Sequence, residues 1–392
     1  MNVEGLRELE ARYAMPTYAR AGVEFVRGEG ARLWDSEGRE YLDFFAGISV
    51  HNAGHCHPRI VAAVQEQVAT FAGSSNLFYS EPALRLSERL SESSLGGKVF
   101  LANTGTEASE GAIKLARKHA HRRGVKRPEV ISFVGDFHGR TLGALAATPK
   151  LADEDRFGPL PPGFRAVPHD DPDALRAAAS ESTAAVFIEL IQGEAGVWPV
   201  PDEVLVAARE VCDRAGALLI VDEVQTGMGR TGTLWAYEQT PVRPDVITAG
   251  KALGGGLPAA AIVAAPEYSD VFEPGDHGST FAGGPIAARA ALAALDVLSD
   301  PALLASVREL GERLRAGLRE LEGVTDVRGR GLMVGVSLAD GLDAAAVRDR
   351  CLEGGLVLNC PGPGMLRLLP PLVIEEADVD RALEVLAGAL RG

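Results

Sequence analysis

Residues 201–225 read PDEVLVAAREVCDRAGALLIVDEVQ, and their order decides the fold. A helical pattern over PDEVLVAAREVCDRA passes at once into an apolar run, Ala217–Val221, which ends on the carboxylate of Asp222. Strands that are apolar throughout, rather than on alternate residues, are buried on both faces, as in a parallel sheet covered by helices on either side. The pattern repeats outward from this unit. Val99–Ala102 leads into the helix of TEASEGAIKLARKHA, Val130–Val134 and Ala184–Leu190 follow, and Val246–Thr248 and Ala260–Ala264 come after. The expectation is an α/β architecture with a large, mainly parallel sheet.

The flanks read differently. Residues 23–50 form a short β meander, with apolar patches separated by the turn signals GEG and SEG. A helix from Pro58 to about Phe71 carries Ile60, Val61, Val64 and Val68 on one face, and another starts near Glu81. Beyond the sheet, long helical patterns begin near Pro285 and span 301–321. Strand-like runs then fall at Met333–Val336, Leu356–Leu358 and Met365–Leu369, and the chain ends on the helix EEADVDRALEVLAGALR. The predicted organisation is a meander over 1–50 that belongs to a small unit, a large domain over 51–295, and a smaller α+β domain over 296–392.

A chain of 392 residues is too long for one compact core, and 46% hydrophobic residues place it among globular proteins. The net charge of −15 argues against binding nucleic acid or an anionic membrane, although local basic groups still allow a small anionic substrate. Cys56, Cys212, Cys351 and Cys360 form no CxxC pair and no zinc spacing, so they read as free thiols in a reducing compartment. The start, MNVEGLRELEARY, lacks an apolar signal core, and no run reaches the ~18 apolar residues of a membrane span. A soluble, cytoplasmic protein is expected. His51, His55 and His57 lie in a loop-rich segment whose spacing fits no metal signature, so no metal is expected.

Three segments carry chemistry. In Asn103-Thr104-Gly105-Thr106-Glu107, a strand gives way to a helix whose first N–H groups suit a phosphate; an ordinary capping box fits the same residues. In Asp222-Glu223-Val224-Gln225, a carboxylate stands at the C-terminal end of a buried strand, where α/β sheets hold ligands. It suits a protonated ring nitrogen, with Mg²⁺ as the rival. In Gly250-Lys251-Ala252-Leu253-Gly254-Gly255-Gly256, a lysine follows an apolar strand; burial frees its amine for Schiff-base chemistry, and a surface lysine is the alternative. Each is weak alone. A phosphate cup, a ring-nitrogen carboxylate and a Schiff-base lysine in this order are what pyridoxal 5′-phosphate (PLP) chemistry needs.

With GHCHP, SSNLFYSEPALRL, NTGTEASEGAIKLAR, FHGRTLGAL, QGEAGV, VDEVQTGMGRTG, AGKALGGGLP, HGSTFAGGP and RGRGLMVG, the chain resembles the class III (ω-) aminotransferases of PLP fold type I from about Tyr13 onward. It is most similar there to the enzymes acting on acetylornithine, with those for ornithine and succinylornithine as close kin. The resemblance implies a homodimer in which Gly105 and Thr106 hold the cofactor phosphate. Phe137 stacks on the ring with His138 beside it, Asp222 and Val224 meet the ring, Gln225 reaches its phenolic oxygen, and Lys251 is the catalytic lysine. Thr280 reaches the phosphate across the dimer interface, and Ser279 lies near the substrate. Where the family usually has GGNP, this chain has Gly283-Gly284-Pro285 after Ala282, so a side-chain amide is missing from that loop.

The resemblance also implies a means of accepting two substrates. Arg140 and Arg367 would take the two carboxylates of 2-oxoglutarate, since arginine–carboxylate pairs fix orientation as well as charge. An ω-amino donor such as N²-acetyl-L-ornithine offers its α-carboxylate to Arg140 alone. An unpaired buried guanidinium costs about 3–5 kcal/mol, and Glu194 would fill the gap at Arg367. Ornithine, succinylornithine and a carrier-linked lysine are the alternative donors, and a PLP-dependent aminomutase or a non-catalytic PLP-binding protein are the alternative classes.

Overall fold

The computed structural model describes residues 3–152 and 154–392. Its centre is a seven-stranded sheet of β1 (Val99–Ala102), β2 (Glu129–Phe133), β3 (Phe164–Val167), β4 (Thr183–Glu189), β5 (Leu218–Asp222), β6 (Val246–Ala249) and β7 (Ala260–Ala264). Their order across the sheet is 1-7-6-5-4-2-3, with β7 antiparallel to both its neighbours and the other pairs parallel.

The apolarity of the central strands has the expected cause. Every residue of β4 and β5 is buried. Leu218 and Ile220 of β5 pack in one cluster with Ala108, Ala112 and Ala116 of the helix Gly105–Arg122. Leu219 and Val221 pack in another with Val204, Ala208 and Val211 of the helix Asp202–Ala215. Successive side chains point to opposite faces, so a strand covered on both sides must be apolar at every position.

The meander comprises Phe25–Glu29, Arg32–Asp35 and Glu40–Asp43. Leu356–Val357 adds to it in parallel, with Leu356 opposite Leu42. A separate antiparallel sheet joins Val324–Arg330, Met333–Leu338, Met365–Leu368 and Asn359–Gly362 in that order. Its strand Met365–Leu368 carries Arg367. Arg230 ties this sheet to the centre: its fully buried guanidinium donates to Ser49 Oγ, Asn52 Oδ1 and the carbonyls of Leu332 and Pro370. Burial lowers its pKa to about 9.

Four elements have weak sequence signals. Phe164–Val167 is a partly exposed edge strand, and Val324–Arg330 carries mostly polar residues. The helix Val3–Tyr13 buries nothing, and Ala344–Glu353 buries only Ala344, Val347 and Cys351. Among the described residues no single helix is long and apolar enough to cross a membrane.

Candidate active site

Five strand ends converge on one cavity of about 430 Å³. β1 delivers Gly105 and Thr106, β2 leads to Phe137, β4 ends on Glu189, β5 on Asp222, and β6 runs into Lys251. These are C-terminal ends, where an α/β sheet leaves an open crevice.

The capping box expected over Asn103–Glu107 is formed. Thr104 Oγ1 accepts from Glu107 N at 3.2 Å, and Glu107 Oε2 accepts from Thr104 N at 3.0 Å, which is a capping box. That box satisfies the third helical amide. Gly105 and Thr106 precede it in the first turn, where amides lack intrahelical partners, and both line the cavity. A Cβ on Gly105 would meet Val224 Cγ1 at 2.8 Å, so only glycine lets the loop after β5 come this close.

Asp222 is held from three sides. Its Oδ1 accepts from Thr248 Oγ1 and from Val224 N, each at 3.0 Å, and its Oδ2 lies 2.7 Å from His138 Nδ1. The His138 ring stacks on Phe187 at 3.7 Å, and its Nε2 is 3.4 Å from Asp136 Oδ2. Burial alone would lower the His138 pKa, but the nearby Asp136 carboxylate and the hydrogen bond to Asp222 outweigh it and raise the value to about 10. A pKa this high favours the imidazolium form of the ring that lies 2.7 Å from Asp222.

Lys251 adopts φ +47, a left-handed conformation that costs a non-glycine residue energy and is sustained by its surroundings. Burial lowers its pKa; the Glu194 charge opposes this and the Arg367 charge adds to it. The result is a more available free amine. Glu194 sits in the loop of the hairpin Ile191–Gln192 and Trp198–Pro199. Its Oε1 accepts from Arg367 Nη1 at 2.6 Å, and although burial raises its pKa, the Arg367 charge and hydrogen bond prevail and lower it. Arg367 also donates to Gly193 O, Asn359 Oδ1 and Gln225 Oε1, while among the described residues its buried Nε has no partner. Arg140 is exposed at the cavity, with its guanidinium 5.5 Å from the Phe137 ring centroid. Among the described residues it pairs with no carboxylate.

Ser279 and Thr280 stand apart, lining a second cavity beside Asn76 and His277. Ser279 Oγ accepts from Asn103 Nδ2 at 2.9 Å, and Thr280 is exposed. Gly284 begins the helix Pro285–Leu298 without a side-chain cap. Asn76 bonds this loop instead, donating to the carbonyls of Ser279 and Ala282 at 3.0 and 3.1 Å. His55 of the histidine cluster bonds Asp43 at 2.7 Å, and among the described residues no group of three ligating side chains is placed to hold a metal.

The model for the family described as aminotransferase class-III matches residues 14–390. The chain belongs to the class III aminotransferases. An acetylornithine aminotransferase of Caldanaerobacter subterraneus is 46% identical over 97% of this aminotransferase and 98% of its own length. A solved ornithine aminotransferase from Toxoplasma gondii, with partial PLP occupancy at its active site, superposes with TM-score 0.94 and 35% identity, covering 100% of this chain and 94% of its own. An acetylornithine aminotransferase from Elizabethkingia anophelis gives 0.89 and 36%, covering 100% and 99%. The α/β fold expected from the strand pattern is that of this family.

Sequence reading passed over Glu189, although its signal was the one that singled out Asp222. It is an acid ending an apolar strand, and in the sheet it stands directly opposite Asp222. Glu189 Oε2 accepts from Phe137 N at 2.8 Å, and burial with the nearby Asp136 and Asp222 charges raises its pKa well above the usual range.

Proposed function

We propose that this aminotransferase moves the δ-amino group of N²-acetyl-L-ornithine to 2-oxoglutarate, giving N-acetyl-L-glutamate 5-semialdehyde and L-glutamate. The observation that carries the reading is the Glu194–Arg367 pair at 2.6 Å beside Lys251, with Arg140 left unpaired at the cavity. One cation is free for the carboxylate common to both substrates. The other is neutralised until a dicarboxylate arrives.

PLP fits the donor set: a helix N-terminus beside a glycine that admits no side chain, a carboxylate backed by an imidazolium, and a buried amine with lowered pKa. When bound, the cofactor supplies an electron sink that lets an amine and a carbonyl exchange roles. Gly105 and Thr106 would hold its phosphate, Phe137 would cover its ring, Gln225 would reach its phenolic oxygen, and Asp222 and Val224 would meet the ring. Asp222 would keep a proton on the ring nitrogen, with His138, 2.7 Å away, supporting the charge of Asp222. Lys251 Nζ, a buried amine with lowered pKa, would serve as the base that holds the proton taken from the donor carbon and gives it back as acid. Arg140 orients the substrate, and Glu194 turns away when 2-oxoglutarate brings a second carboxylate to Arg367.

The enzyme works as a homodimer in the cytoplasm. Leu77, Phe78, Tyr79 and Phe281 are exposed beside Thr280, and such an apolar patch suits a second copy of the chain. The four cysteines are free thiols, as in a reducing compartment. Comparing kcat/KM for acetylornithine, ornithine and 4-aminobutyrate with 2-oxoglutarate tests the reading. Preference for acetylornithine is expected, and preference for unmodified ornithine would replace it with the ornithine reading.

A further inference from the structure

Arg140 lies in a loop between β2 and the short helix Leu142–Ala146, a setting with little intrinsic rigidity for a group that must orient a substrate. Two side chains one turn apart on the helix Gly105–Arg122 hold this loop. Thr106 Oγ1 accepts from Arg140 N at 2.9 Å. Glu110 Oε1 accepts from Thr141 Oγ1 at 2.6 Å, from Gly143 N at 3.0 Å and from Ala144 N at 3.2 Å. Thr141 occupies the N-cap of the short helix but makes no side-chain cap of its own, so Glu110 caps that helix from a neighbouring element.

Two glycines make the approach possible. A Cβ on Gly139, which has φ +141, would lie 1.6 Å from Thr106 Oγ1, and one on Gly143 would lie 2.4 Å from Glu110 Oε2. Both contacts flank Arg140. The helix that presents Gly105 and Thr106 to the cavity therefore also sets where the Arg140 backbone lies.

We propose that Glu110 is a positioning residue for substrate recognition, clamping the 139–144 loop so that Arg140 meets the substrate carboxylate. The proposal rests on the reading of Arg140 as a carboxylate clamp. Because Thr106 Oγ1 already accepts from Arg140 N, its own hydrogen is free to donate toward the cavity, and the same hydroxyl links the phosphate cup to the recognition loop.

The test measures KM and kcat of the holoenzyme for the acetylated donor, with a plain aliphatic diamine lacking a carboxylate as a control. Glu110→Ala is expected to raise KM for the carboxylated donor roughly 10-fold or more with kcat changed little, while the diamine parameters stay put. Glu110→Gln, which keeps an acceptor oxygen, is expected to restore most of the loss. Gly143→Ala disturbs the contact from the other side and should repeat the KM effect, so the test stands even if Glu110→Ala folds poorly. Arg140→Ala separates the two levels of inference. If it leaves KM unchanged, the carboxylate-clamp reading fails. If it raises KM while Glu110→Ala and Gly143→Ala do not, or if those variants impair the diamine equally, the positioning role is overturned.

Discussion

Glu194 Oε1 lies 2.6 Å from Arg367 Nη1, and among the described residues it is the only anion on a guanidinium that is 1% exposed and otherwise bonded to neutral groups. Removing such a partner from a fully buried cation costs about 3–5 kcal/mol. Glu194 itself keeps 32% of its side chain exposed. A carboxylate at that exposure can leave the pair when a substrate supplies another.

Glu194→Ala is therefore expected to leave Arg367 open to α-carboxylates. Single-turnover rates with α-amino donors such as glutamate should rise relative to those with acetylornithine. Equal slowing of both half-reactions, with no change in preference between α- and ω-amino donors, would return Glu194 to a plain structural role.

Lys251 combines a strained backbone with a proton affinity lowered by burial. Borohydride treatment of the holoenzyme is expected to fix the cofactor to one peptide, the one containing Lys251; label on another lysine would displace the assignment. Lys251→Ala is expected to lose at least about 10²–10⁴-fold in kcat through missing acid–base catalysis alone.

The contrast between Lys251 and Glu110 shows what a sequence displays. Lys251, Asp222 and the Gly105 turn each stand where a strand pattern ends, so periodicity locates them at the crevice. Glu189 carries the same mark and was readable. Glu110 lies mid-helix among charged and small residues, and its role exists only because the 139–144 loop folds back onto it. The polar strand Val324–Arg330 was illegible for a related reason: its partners, not its own pattern, make it a strand.

Thr280 sits outside the cavity that holds Lys251 of its own chain. In a shared-site dimer, mixing Lys251→Ala and Thr280→Ala subunits gives hybrids with one intact site, so activity is expected to recover on remixing. A fully active monomer, established by sedimentation at assay concentration, would end the shared-site reading.

His138 provides the pH prediction. Burial lowers its proton affinity, but the Asp136 carboxylate and the hydrogen bond with Asp222 prevail and raise its pKa to about 10, against about 6.5 for the unfolded chain. A folded-state pKa above the unfolded one means that protonation favours the fold. The His138 contribution is thus complete below about pH 6.5 and is lost progressively as the pH rises through about 10. Asp136→Asn removes one of the two carboxylates that raise the value, so the His138 titration and the alkaline fall in Tm should both move to lower pH. Histidine side-chain NMR followed from neutral to alkaline pH measures the first, and melting curves over the same range measure the second. Titration of wild-type His138 alongside ordinary exposed histidines would show that no imidazolium stands behind Asp222. The support proposed for the charge of Asp222 would then have to come from Thr248 Oγ1 and Val224 N alone.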